Sequence, residues 1–153
     1  MAARIRCFLA LLSLVFFSTN CLAAGNADEV RALYSRFYTA QNARNLDEVK
    51  AQFLDSPDFL WVSDGKSFWS REATLERMKM FQVNEVWRVE PDLKNAKVIE
   101  VSDTVAYLHL TLDLFIGSTA KPDRIGFLVS ALCVKTAQGW KIAALFTTTA
   151  KPA

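Results

Sequence analysis

One imidazole, His109, and three thiols, Cys7, Cys21 and Cys133, are all the His and Cys chemistry this 153-residue chain offers. A structural zinc site takes four such ligands, so a His/Cys metal centre is not expected. His109 is the one histidine candidate for acid–base catalysis. The nearest acid on its side of a strand, Asp113, lies four residues on, about 13 Å away at 3.3 Å per residue, so the two cannot pair. Cys133 sits in an apolar run and reads as a small buried hydrophobe, since an active thiolate needs a basic partner. The remaining candidates are aromatic. Tyr38, Trp61, Trp69, Phe81 and Phe146 are expected to line a pocket for a flat apolar ligand.

The elements that carry these residues follow from hydrophobic spacing. Val30, Leu33, Tyr34, Phe37, Tyr38 and Gln41 recur on one face of a helix over Asp28–Ala43. Asn45 and Glu48 resemble a capping box for a second, short helix that Pro57 closes off. Phe59–Ser63 reads as a strand turned by Asp64-Gly65, and Ser70 as the cap of a third helix carrying Leu75, Met78 and Phe81.

Beyond Gln82 the period changes to two. Strands are expected over Glu85–Glu90, Ala96–Val101, Thr104–Ile116, Arg124–Thr136 and Trp140–Thr148. Helices first and antiparallel strands afterwards predict an α+β fold with helices packed on one face of the sheet. In Thr104–Ile116 one face carries Ala106, Leu108, Leu110, Leu112 and Leu114, and the other carries His109 and Asp113. The leucine face is expected under the helices, which turns His109 outward. In the last strand Trp140, Ile142, Ala144 and Phe146 share a face, which is taken as the buried one.

This order resembles the SnoaL-like members of the nuclear transport factor 2-like superfamily across residues 26–150. The carriers are Asn45-Leu46-Asp47-Glu48 after the opening helix, Phe59 to Gly65 followed by Ser70-Arg71-Glu72-Ala73, Asp103-Thr104-Val105-Ala106, and Gly139-Trp140-Lys141-Ile142. The resemblance implies a strongly curved sheet wrapped round the first helix, leaving a conical pocket. Ketosteroid isomerase, scytalone dehydratase and polyketide cyclases belong to that superfamily, as do many binding domains. Its enzymes set a carboxylate or histidine in the cone as general base. Related sequences often close the last strand with a histidine where Phe146 stands here, which weighs against a histidine mechanism.

Composition adds the compartment. Arg4 and Arg6 precede an apolar stretch, Cys7–Phe17, and small residues ending in Ala23-Ala24. That is the pattern of a secretory leader, too short to span a bilayer. Ser18 and Asn20 before Cys21 do not fit a lipoprotein signal. The expected domains are therefore a leader, 1–24, and an exported domain, 25–153, periplasmic or secreted, with no stable membrane insertion after cleavage. Losing the leader leaves 129 residues with 16 basic and 16 acidic side chains and one cysteine, hence no internal disulfide. A neutral chain has no electrostatic footprint for nucleic acid. No glycine loop or ligand cluster signals a nucleotide, flavin or metal, so no cofactor is expected.

Within the strand Arg124–Thr136, the stretch Arg124–Val134 is apolar on both faces. Helices cover one, and a second copy of the chain is expected on the other, giving a homodimer through the sheet. Three function classes follow: binding of a small apolar or aromatic molecule, a cofactor-free lyase or isomerase, and an accessory domain whose cone is plugged by its own aromatics.

Overall fold

The computed structural model describes residues 25–151, so the expected leader lies outside the described residues. Three helices, α1 (Asn26–Asn42), α2 (Leu46–Gln52) and α3 (Arg71–Phe81), are followed or interleaved by seven strands. These are β1 (Leu60–Ser63), β2 (Lys66–Trp69), β3 (Val86–Pro91), β4 (Lys97–Ser102), β5 (Val105–Gly117), β6 (Pro122–Thr136) and β7 (Gly139–Thr149). They form one sheet in the order β2-β1-β7-β6-β5-β3, with β4 also paired to β5. The expected α+β architecture is present. One pairing departs from the antiparallel expectation: β1 runs parallel to β7.

Local chemistry sets the helix ends. Asn45 accepts from Glu48 N at 3.1 Å to start α2, and Ser70 accepts from Ala73 N at 3.2 Å to start α3. Each satisfies one of the backbone donors that a helix start leaves free. Arg44, in the left-handed region at φ 55, ends α1. Its guanidinium donates to the carbonyls of Gln82, Asn84 and Glu85 at 2.7–2.8 Å, tying α1 to the α3–β3 loop. Next to it Asn42 mimics a strand partner: it donates to Val89 O at 2.9 Å and accepts from Val89 N at 2.7 Å. This satisfies backbone of β3, which would otherwise be a bare sheet edge.

At its start, α1 is clamped to the far end of the sheet. Glu29 Oε2 accepts from Trp140 Nε1 at 2.8 Å and from Lys135 Nζ at 3.0 Å. Lys135, together with Trp140, holds the Glu29 carboxyl below the usual carboxylate range. Between these anchors runs an aromatic spine, Tyr34–Phe37–Phe53–Phe59, with successive ring centroids 5.5, 5.2 and 4.6 Å apart.

The leucine face of β5 does turn inward: Ala106, Leu108 and Leu110 are buried. The buried face of β7 does not run as the alternation suggested. Leu132 pairs with Ala144 and Cys133 with Ile142, which leaves Ala143 as an extra residue. A bulge of this kind reverses which side chains face inward beyond it. Trp140, Ile142 and Ala144 are buried as expected, but beyond Ala143 Leu145 is buried as well, while Phe146 is 44% exposed on the outer face. The bulge falls where β7 changes partners, from Phe53 and Leu54 opposite Ile142 to β1 from Ala144 onward.

Candidate functional site

The curved sheet and α1 do not fill the space between them. A cavity of about 230 Å³ remains, opening at the end of the cone where α3 and the β1–β2 turn meet the sheet. Its helical wall is Tyr34, Phe37 and Gln41 of α1 with Met78 and Phe81 of α3. Trp61 and Ser63 enter from β1, and Trp87 and Val89 from β3. The floor is aliphatic: Leu112, Leu114 and Ile116 on β5, then Ile125, Phe127 and Val129 on β6. Leu145, Thr147 and Thr149 complete it from β7, all three on the face that the bulge turns inward.

The polar groups on this wall are few. Trp61 Nε1 donates to Thr147 Oγ1 at 3.1 Å, and the Thr147 hydroxyl donates to Val62 O at 3.2 Å, so both are satisfied within the protein. Tyr34 is buried, and burial pushes its phenol well above the usual range, so it stays neutral. The same holds for the nearby buried thiol of Cys133, pushed up to about 12 by burial.

One carboxylate reaches the cavity, Asp64, in the tight turn Asp64-Gly65 where both residues have positive φ. This is the backbone that a two-residue hairpin demands and that Asp-Gly supplies. The Asp64 side chain is 58% exposed at the rim and lies 3.7 Å from Arg77. The Arg77 guanidinium is stacked over Phe68 and Phe81 at 4.4 and 4.8 Å, a geometry that stabilises a cation against ring faces.

Of the five aromatic candidates, Trp61 and Phe81 are on the cavity wall. The other three are not. Tyr38 is half-buried against the core, one residue round α1 from the cavity-facing Phe37. Trp69 is 58% exposed on β2, an edge strand, and Phe146 is turned outward by the bulge. His109 also lies outside the cavity: it faces outward from β5, half-buried, with Nδ1 3.0 Å from Ser130 Oγ. That position removes it as a proton-transfer group for anything bound in the cone. Cavity residues that sequence reasoning did not single out are Gln41, Ser63, Asp64, Trp87 and Thr147. Gln41 had a signal, since it closes the inward stripe of α1. Thr147 had none without the bulge.

Among the described residues there is no group of three or more His, Cys, Asp or Glu placed to hold a metal ion. No helix among them is long and apolar enough to cross a membrane.

The model of the SnoaL-like domain matches residues 30–145. The chain belongs to the SnoaL-like domain family. Its SnoaL-like cone is also seen in solved structures of low sequence identity. A candidate dehydratase of the nuclear transport factor 2-like family from Streptomyces avermitilis is 14% identical, with a TM-score of 0.74 over 83% of this chain and 97% of that one. An uncharacterised protein with a cystatin-like fold from Caulobacter vibrioides is 18% identical, with a TM-score of 0.71 over 83% and 91%. A ketosteroid isomerase-like protein from Erwinia carotovora atroseptica is 17% identical, with a TM-score of 0.67 over 83% and 98%. At these identities the likeness is one of fold. No curated protein matches the chain.

Proposed function

We propose that this SnoaL-like chain is an exported domain that holds a small apolar or aromatic molecule in its cone. The observation that carries this reading is the 230 Å³ space walled by aromatic and aliphatic side chains. Protein interiors close-pack, and an apolar space of this size is uncommon without an occupant. Export rests on the basic, then apolar, then small-residue order of residues 1–24. Indole is the probe for the test, titrated into 15N-labelled protein. The expected result is a Kd below about 1 mM, with resonances of Trp61, Trp87 and Leu114 shifting and that of Trp69 unmoved. No shift at the cavity residues by several millimolar indole would contradict the reading.

A second reading is favoured by one observation, the Asp64 carboxylate on the rim of an otherwise uncharged wall. It is a cofactor-free lyase or isomerase in which Asp64 removes a proton from a ligand seated in the cone. Some solved structures of this fold carry dehydratase or isomerase-like names. Under this reading Asp64→Asn retains ligand binding and lowers turnover of a ketone probe, measured as deuterium exchange at its α-carbon, by at least about a hundredfold. Equal exchange in both proteins, or none above buffer, removes it.

We also propose that a second copy covers the outer face of the sheet. Tyr107, Leu128, Leu132 and Phe146 are exposed there by 36–44% and lie on adjacent strands. Tyr107 stands directly opposite Leu132, and Phe146 opposite Ser130. The Asp113–Arg124 ion pair borders this patch on the same face. An apolar centre with a charged border is the pattern of a protein interface. Sedimentation at micromolar concentration is expected to give a dimer for the native chain and a monomer for Leu132→Glu. A native monomer would overturn it.

A further inference from the structure

His109 is the chain's single imidazole, and the cone makes no use of it. It stands in the middle of the outer face of the sheet. Its direct partner on β4 is Lys97 and on β6 it is Ser130, which in turn faces Phe146 on β7. Ile99, Tyr107 and Leu132 form the next row across β4, β5 and β6, and Leu128 opposite Thr111 lies on the other side. The imidazole is half-buried, with Nδ1 3.0 Å from Ser130 Oγ. It is thus a polar ring set within an apolar patch.

Charge on this face decides what such a position can do. The charged group opposite His109 is the Lys97 ammonium, and like charges on opposed strand residues repel. Tyr107 is the other titratable neighbour, and an ordinary phenol stays neutral below about pH 10. The carboxylates of this face are Asp113 on β5 and, opposite it, Glu90 on β3. Asp113 is engaged by Arg124 at 2.6 Å, and Glu90 is engaged by Arg88. A symmetric pair presents the same patch to itself, so a covering copy offers the same two carboxylates, both already taken.

We propose that His109 makes the self-association of this chain pH-dependent: the pair forms over a neutral imidazole and comes apart when the ring takes up a proton. The inference rests on the outer-face reading above. Imidazole is the side chain that ordinarily changes charge between about pH 5 and pH 8. Neutral, the ring is buried with its hydrogen bond to Ser130 kept inside the chain. Protonated, it is a cation beside an ammonium, without a counter-charge, in an interface that excludes water. The separated chain therefore binds the proton more tightly than the covered one, and the affinity between copies falls as pH falls.

The size of the effect follows from the same linkage. Keeping an ordinary imidazole neutral at one unit below its usual value costs about a factor of ten, and a dimer holds two of them. Sedimentation over a concentration series, at pH 8 and at pH 5.5, reads it. The native chain is expected to be a dimer at pH 8, with Kd about a hundredfold higher at pH 5.5. Ordinary carboxylates are still ionised at pH 5.5, so this window isolates the imidazole. His109→Gln, uncharged at both pH values, is expected to pair equally well at both. His109→Asn takes its place if thermal unfolding shows that Gln disturbs the sheet.

A native Kd equal at the two pH values overturns the inference and leaves the dimer reading intact. A folded His109→Gln protein that loses its pairing at pH 5.5, as the native chain does, puts the titrating group elsewhere and also overturns it. So does a folded variant that pairs at neither pH, since the imidazole is then a contact and not a switch. A native chain that is monomeric at pH 8 overturns the outer-face reading and this inference with it.

Discussion

Leu114→Trp is expected to weaken indole binding by at least about tenfold while the protein stays folded. Leu114 projects from β5 into the cavity and is only partly buried, so a larger ring there extends into empty space. Adding atoms to a filled core costs about 1–3 kcal/mol, through off-rotamer side chains and backbone shifts. Here the new ring takes the volume a ligand would occupy, and the cost of overpacking is correspondingly smaller. The control is Tyr107→Trp, the same new side chain on the outer face of the same strand, which should leave indole affinity unchanged. Titration of both variants, with thermal unfolding to confirm the fold, checks the pair. Undiminished binding in Leu114→Trp would show that indole sits elsewhere.

The second large effect is a contrast between two phenylalanines. Phe53→Ala is expected to destabilise the domain by about 3–5 kcal/mol, the range for emptying a fully packed aromatic site. Phe53 is 2% exposed and stands in the middle of the aromatic spine between Phe37 and Phe59. Phe146→Ala should cost less than about 1 kcal/mol in the monomer, because that ring is exposed on the outer face. Urea unfolding of the two variants, in the Leu132→Glu background to remove any contribution from self-association, measures the difference. Similar losses at both positions would mean that β7 lacks the Ala143 bulge and that Phe146 points into the cone.

That contrast also marks where the sequence ceased to be legible. The helical stripe of α1, the caps at Asn45 and Ser70, and the inward leucines of β5 all follow from local spacing, and all three are present. The register of β7 beyond Ala143 does not follow from spacing, because strict alternation is a rule for strands without an extra residue. The extra residue coincides with a change of partner strand, a tertiary event that no window of the sequence contains. One inserted position thus moved Phe146 out of the candidate site and brought Leu145 and Thr147 into it.

The site itself was half legible for a related reason. Trp61 and Phe81 lie on the wall, since a large aromatic on the inward face of a strand or helix reaches the space under a curved sheet. Tyr38 lies only 100° round α1 from Phe37, and hydrophobic periodicity does not separate the part of a stripe that meets the core from the part that meets a cavity. Gln41 was read as the polar end of that stripe. It stands on the cavity wall, while its neighbour Asn42 is bonded to the backbone of Val89. Trp69, on an edge strand, needed the strand order before its exposure could be known.

The central claim is that the cone is an open, uncharged chamber shaped for a small ring system. A crystal structure of the protein soaked with indole tests it most directly. The account predicts one indole ring in the cone, in contact with Trp61, Leu114 and Phe127, with the cavity walls unmoved. A cone found closed by its own side chains, or indole bound only outside it, would contradict the account.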